Sequence, residues 1–314
     1  MTDPAPYRAD LARAPQDARA VWVRADDGVR LRVALHATGD KGTVLIFPGR
    51  TEWVEKYGRV AGDLASAGYS ALVIDWRGQG LSDRLLDDPL KGHVADFPDY
   101  QMDVQAALDC ARDAGLPEPY FLIAHSMGGA IGLRAVMQDL PVRGAVFSGP
   151  LWGVKFPLWA RPVAGLLGTL SSWFGLGEGY APSTSPEPYI LTAPFHDNLL
   201  TTDRAEYQDM ADQMRAEPGF ALAGPTMIWV HEANCECKWL ATQPSPALPC
   251  LTLLGTNERI VDVGVIHERM ARWPGGELVL VEGGEHEVLM ESPDKRDPLI
   301  ARMIAFFDAH RGDA

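Results

Sequence analysis

Basic residues are the first thing this chain has little of. Across 314 residues it carries 28 lysines and arginines against 42 aspartates and glutamates, for a formal net charge of −14. With no long basic run, that balance disfavours a nucleic-acid partner and tight adsorption to an anionic membrane. Cysteine is scarce as well: Cys110, Cys235, Cys237 and Cys250 read as reduced thiols in a chain of this length. Residues 1–20 contain Asp3, Asp10 and Asp17 and no apolar run. No secretory leader is therefore expected, and the expected compartment is the cytoplasm. The most apolar segment, 151–177, carries Trp152, Phe156, Trp159, Trp173 and Phe174, but Lys155, Pro157, Arg161 and Pro162 interrupt it. No run of about 20 apolar residues arises, so stable membrane insertion is not expected, which leaves room for transient lipid contact. Two ligand signatures are incomplete. Gly78-Gln79-Gly80 lacks the third glycine and the helix start of a nucleotide fingerprint. Cys235-Glu236-Cys237 with His231 falls short of four zinc ligands, so two free thiols are expected and neither metal nor cofactor is.

Hydrophobic residues, by contrast, make up 46% of the chain, enough for one large α/β domain or one domain carrying an insertion. Val29, Leu31, Val33 and Leu35 alternate with Arg30, Arg32 and Ala34, the pattern of a half-buried strand. Asp26-Asp27-Gly28 supplies a turn, with Val21-Trp22-Val23 as the hairpin partner. Continuous apolar runs follow at 43–47, 71–74, 120–123, 144–147, 250–254 and 278–281, as parallel strands buried on both faces require. Amphipathic helices fall between them: Val54, Tyr57, Ala61 and Leu64, then Val104, Ala107, Leu108 and Ala111, and finally Ile300, Met303, Ile304 and Phe307. The pattern predicts an α/β fold, a mostly parallel sheet with helices on both faces. The alternation breaks in the proline-rich stretch 151–248. The expected organisation is a core formed by 1–150 and 249–314, with 151–248 inserted as a mainly helical cap over the carboxyl ends of the strands.

The chemistry centres on Ala124-His125-Ser126-Met127-Gly128-Gly129. An apolar run leads into a serine flanked by small residues, and an apolar helix pattern follows. That is a strand, a sharp turn and a helix with a serine at the tip, the elbow that presents a nucleophile. Acyl transfer by serine also needs a base, an acid to orient it, and amide donors for the oxyanion. His286 follows the last apolar run by a glycine-bearing loop, which no other histidine does after a late strand; His125 adjoins the serine, but its side chain should point away. Glu258, just after the run 250–254, is the favoured acid, and Asp262 is the alternative, with capping of the next helix as its plainer reading. The amide after the nucleophile belongs to Met127. The second donor is assigned to the Arg50 N–H in Pro48-Gly49-Arg50-Thr51-Glu52; the Arg50 side chain reads as an exposed charge, and Glu52 with Lys56 as a helix-surface pair.

In these segments the chain resembles the α/β-hydrolases of the lysophospholipase and monoacylglycerol lipase group. The resemblance runs from about Val21 to the C-terminus. It is carried by Pro48 to Tyr57, by Asp75-Trp76-Arg77-Gly78-Gln79-Gly80-Leu81-Ser82, by the elbow, by Gly255 to Asp262 and by Gly284-Glu285-His286-Glu287. Asn198-Leu199-Leu200-Thr201-Thr202-Asp203 and Gly224-Pro225-Thr226 look like bacterial lysophospholipases of that group. The resemblance implies a serine carboxylester hydrolase acting on a single-acyl lipid, with the residues from Asp75 to Ser82 mainly structural. Three positions depart from the family's habit: Pro48-Gly49 stands for His-Gly, Ala124 for glycine, and Glu258 for aspartate. The last moves the carboxylate out by roughly one C–C bond, about 1.5 Å. Two competing readings are a short-chain esterase or thioesterase with the same triad, and a non-catalytic binder on the same fold.

Overall fold

The computed structural model describes residues 3–155, 177–182 and 184–312. Its strands are β1 (Asp3–Ala5), β2 (Arg19–Arg24), β3 (Arg30–His36), β4 (Thr43–Phe47), β5 (Ser70–Asp75), β6 (Tyr120–His125), β7 (Val142–Ser148), β8 (Cys250–Gly255) and β9 (Gly276–Val281). Its helices are α1 (Ala9–Ala12), α2 (Gly58–Ser66), α3 (Tyr100–Asp113), α4 (Met127–Met137), α5 (Tyr189–Thr192), α6 (Arg204–Ala216), α7 (Met227–Thr242), α8 (Val263–Met270) and α9 (Pro293–Ala309). The strands form one sheet in the order β1-β2-β3-β5-β4-β6-β7-β8-β9. β1 to β3 form an antiparallel meander joined antiparallel to β5, and every later neighbour is parallel.

Side-chain alternation splits the core into two layers. Leu45, Phe47, Leu72 and Ile74 point to the face covered by α3, α4, α7 and α8, where they meet Ala107, Ile131, Ala233 and Ile266. Val44, Ile46, Ala71 and Val73 point to the opposite face and pack on Val60, Ala61 and Leu64 of α2 and on Ile300, Met303 and Phe307 of α9. A strand buried on both faces has no solvent side, which is why these runs are continuously apolar. β9 is the exception. It lies at the sheet edge, and Leu280 is 53% exposed, so the expectation of two buried faces fails there. β3 departs in the other direction: Arg32, expected on a solvent face, is fully buried. Its Nε donates to Asp75 at 2.7 Å and its two Nη atoms donate to Glu55, each at 2.8 Å, so the charge is internalised with paired carboxylates.

The site-bearing loops leave the carboxyl ends of β4, β6, β8 and β9. Chain order reverses between β4 and β6: β4 leads outward to β5, and the chain then returns to β6 on the other side. The two loops part there and leave a crevice, the usual ligand position in open α/β sheets. Helix α4 sits close over this junction. A Cβ added at Gly128 would lie 2.1 Å from the Phe47 carbonyl oxygen, and one at Gly132 would lie 3.1 Å from the Ala124 Cβ. Ala124 can stand where the family has glycine because the residue facing it across the helix has no side chain.

Between β7 and β8 the described residues hold α5, α6, α7 and a 3-10 turn, Pro218–Phe220, and no strand. Asp203 caps α6 through the Ala205 and Glu206 N–H groups, and Thr226 caps α7 through Trp229 N–H. This segment is tied to the core by Trp53, which stacks on Phe220 at 5.1 Å and donates its indole N–H to Gln213 at 2.8 Å. Phe156, Trp159, Trp173 and Phe174 lie outside the described residues. Among the described residues no helix is long and apolar enough to cross a membrane.

His36 is fully buried beside the Tyr7 ring, and neither ring nitrogen has a partner among the described residues. Burial lowers its pKa from 6.5 to about 4. Between those values the unfolded chain binds the proton and the folded chain does not, so stability falls as pH drops through that window, by about 3 kcal/mol at most. Urea unfolding of wild type and His36→Leu should show the variant gaining relative stability between pH 7 and pH 4; parallel curves would contradict this. Gly128→Ala should lower the melting temperature sharply, because the new methyl meets backbone rather than a mobile side chain. The overpacking cost is about 3 kcal/mol, and an unchanged melting temperature would refute the tight crossing.

Candidate active site

Ser126 is half-buried at the start of α4 with φ 49° and ψ −116°. A non-glycine residue persists in that region only when its surroundings over-determine it. Here the Ser126 N–H donates to Ser148 O at 3.0 Å, and Ser126 O accepts from Gly129 and Leu151 N–H, both at 2.8 Å. The backbone is thus tied to the end of β7 on one side and to the first turn of α4 on the other.

Glu258 and His286 are brought together. His286 Nδ1 lies 2.6 Å from Glu258 Oε2, and both residues are buried. The second carboxylate oxygen accepts from Ile260 N–H at 2.6 Å and Val261 N–H at 3.1 Å. Burial alone would raise the Glu258 pKa, but its hydrogen bond and charge interaction with His286, helped by the two amides, hold it below the ordinary value. A carboxylate at Nδ1 fixes the tautomer that carries the proton there, leaving Nε2 with the lone pair. Asp262 is not part of this pair. It caps α8 and accepts from Gly264 N–H at 3.1 Å.

The loop after β4 is pinned from several sides. Trp76 Nε1 donates to Pro48 O at 2.9 Å and Gln79 Nε2 donates to Gly49 O at 2.8 Å. The Gly49 N–H is taken by the Glu52 carboxylate, and the Thr51 N–H approaches Gln79 Oε1 at 3.4 Å, with Thr51 itself at φ 64°. The Arg50 N–H between them has no acceptor among the described residues. Met127 is the first residue of α4, so its N–H has no intrahelical acceptor either. The segment from Asp75 to Ser82 therefore shapes this loop through Trp76 and Gln79.

Two side-chain expectations fail. The Arg50 guanidinium is not an exposed charge: it donates to Ala223 O and lies 5.4 Å from the Trp229 ring centre, and burial lowers its pKa to about 10. Glu52 and Lys56 do not lie on a helix surface. Both are buried, and Lys56 Nζ also reaches Glu287 Oε1 at 2.7 Å. The His125 ring centre lies 4.7 Å from that of His286. Sequence reasoning missed Lys56 and Glu287 as neighbours of the site; an acid directly after His286 was the available signal. Cys235 is exposed, with Sγ 3.6 Å from His231 Nε2, while Cys237 is buried and donates to Leu151 O at 3.4 Å.

Residues 38–293 match the family described as serine aminopeptidase, S33. Over 277 residues the chain is 32% identical to lysophospholipase L2 of Escherichia coli strain K12, covering 85% of this chain and 80% of that protein. It is 30% identical over 268 residues to a probable lysophospholipase L2 of Haemophilus influenzae, covering 84% and 83%. A solved structure of a soluble variant of monoglyceride lipase from Saccharomyces cerevisiae matches with a TM-score of 0.73 at 19% identity, over 99% of this chain and 100% of that one. The first two relatives establish the family and the third the fold: the chain belongs to the serine aminopeptidase S33 family and is an α/β-hydrolase of the lysophospholipase and monoacylglycerol lipase group.

Proposed function

We propose that this enzyme is a serine carboxylester hydrolase that cleaves single-acyl lipids, a lysophospholipid or a monoacylglycerol, through an acyl-enzyme formed on Ser126. The observation that carries the reading is the 2.6 Å bond between His286 Nδ1 and Glu258 Oε2 at the strand ends, beside the elbow bearing Ser126. In this reading His286 Nε2 takes the Ser126 Oγ proton as the oxygen attacks the ester carbonyl. The oxyanion is received by the Arg50 and Met127 N–H groups, and Glu258 stabilises the imidazolium. Collapse expels the alcohol, glycerol or the glycerophosphate head, which takes the proton from His286. Water, deprotonated by the same nitrogen, then attacks the acyl carbonyl, and collapse releases the fatty acid while Ser126 Oγ takes the proton back from His286. The substrate class is supported by the relatives, two of which are named as lysophospholipases and one as a monoglyceride lipase. We assign 151–248 the role of a cap over the site, supported by its contacts to Trp53 and Arg50. We also assign the enzyme to the cytoplasm, supported by four unpaired cysteines, one of them exposed.

Purified protein should release product from lysophosphatidylcholine and monoacylglycerol faster than from short p-nitrophenyl esters. Ser126→Ala should lose turnover by roughly 10⁴-fold or more with its melting temperature unchanged. Turnover confined to short esters would replace the lipid reading by a general esterase, and turnover surviving in the variant would remove the serine assignment. Glu258→Gln should cut kcat by about 10³-fold to 10⁴-fold, whereas Asp262→Ala should cost about 1 kcal/mol of stability through the lost cap and leave kcat near wild type. The reverse pattern would make Asp262 the acid.

A further inference from the structure

Beneath the triad lies a cluster of buried ionisable side chains that the mechanism above does not use. Glu52 closes the loop after β4, Lys56 and Tyr57 lie in the 3-10 turn Val54–Tyr57, His125 precedes Ser126, and Glu287 follows His286. All five are buried. Lys56 Nζ donates to Glu52 Oε1 and, at 2.7 Å, to Glu287 Oε1. The other Glu52 oxygen accepts from Tyr57 OH at 2.7 Å and from the Gly49 N–H. His125 Nδ1 lies 2.9 Å from Ser148 O, and its Nε2 lies 3.5 Å from Glu287 Oε2 and 3.8 Å from Glu52 Oε1. Glu52, His125 and Glu287 offer ligand atoms within 4.8 Å of one another, a spacing a cation could use. The Lys56 ammonium already contacts both carboxylates, so the chain supplies that cation itself.

We propose that Lys56 is a positioning residue for catalysis, fastening the oxyanion loop through Glu52 to the histidine loop through Glu287. The inference rests on the assignment of Ser126, Glu258 and His286 given above. The Glu52 carboxylate holds the Gly49 N–H, one residue before the Arg50 N–H assigned to the oxyanion. Glu287 is covalently next to His286, whose ring also rests on His125. One ammonium thus spans the group that receives the oxyanion and the group that moves the proton. Against the burial that would raise it, Lys56 and then His125 hold the Glu52 pKa low, at about 2. Burial outweighs the Lys56 charge at Glu287 and pushes that pKa up to about 7. Removing the ammonium strands two carboxylates in a dry pocket and releases both loops from a common anchor.

An oxyanion donor acts in the transition state and not on the bound ester, so its misplacement lowers kcat and leaves KM nearly fixed. The test compares wild type, Lys56→Met and Lys56→Arg on an ester whose release depends on Ser126, with melting temperatures recorded. Lys56→Met should lower kcat by about 100-fold, the scale of one lost oxyanion donor, with KM within about threefold. Inhibition by a phenylboronic acid, a tetrahedral mimic at serine, should weaken in parallel with kcat, and Lys56→Arg should recover most of the loss. A kcat near wild type in Lys56→Met would overturn the proposal. So would an equal rise in KM with unweakened boronate binding, the signature of general loosening. Should Lys56→Met fail to fold, Glu287→Ala keeps the Lys56–Glu52 pair and still cuts the tie to the histidine loop. It should lower kcat by about tenfold or more at steady KM, and an unchanged kcat would refute the proposal. Ser126→Ala separates the two claims. Turnover lost in that variant but kept in Lys56→Met removes only the role of Lys56, and turnover kept in Ser126→Ala removes the triad assignment and this inference with it.

Discussion

A serine at φ 49° does not hold that conformation by its own preference. It stays because its N–H is tied to Ser148, its carbonyl accepts from Gly129 and Leu151, and α4 crosses the ends of β4 and β6 with no room to shift. That constraint aims the side chain out of the sheet at the point where chain order reverses. The remaining parts are arranged around it by strand register. Phe47 pairs with Ala124, which sets the loop after β4 beside the elbow, and Gly255 pairs with Val281, which starts the Glu258 and His286 loops from the same level. Four loops converge on one spot because four parallel strands end together.

Loops at strand ends need something to hold them, and buried charge does so here. Arg32 joins β3 to Asp75 and Glu55, and Asp75 also accepts the Val54 and Leu81 N–H groups, each at 2.8 Å. Arg77 grips Asp103 of α3 at 2.7 Å and so fixes the segment whose Trp76 and Gln79 shape the loop after β4. Lys56 ties that loop to the one bearing His286. Buried ion pairs of this kind add little net stability over apolar packing, yet breaking one partner costs several kcal/mol. Their effect is to specify loop positions.

Most of the architecture was legible in the sequence. Continuous apolar runs betray strands buried on both faces, and small residues around Ser126 betray the close crossing of strand and helix. That Glu258 and His286 meet was legible because each follows a late strand by a short loop. The misses share a physical cause. A glutamate four residues before a lysine reads the same on a helix surface as inside a core, so Glu52 and Lys56 gave no sign of burial. Arg32 fell into a period-two pattern that normally marks a solvent face, and its partners Asp75 and Glu55 are distant in sequence. Leu280 belongs to an apolar run like the others, and its exposure is decided by the edge position of β9. Strand β1, three residues long, is too short for any periodicity.

The measurement that bears most directly on the account is reaction of the native protein with a fluorophosphonate, which phosphonylates a serine activated by a neighbouring base. Peptide mapping by mass spectrometry then locates the adduct. A single adduct on Ser126 is expected, formed fast in wild type and slowly when His286 is replaced by alanine. An unlabelled Ser126, or labelling as fast without His286 as with it, would contradict the claim that this serine is activated by this histidine.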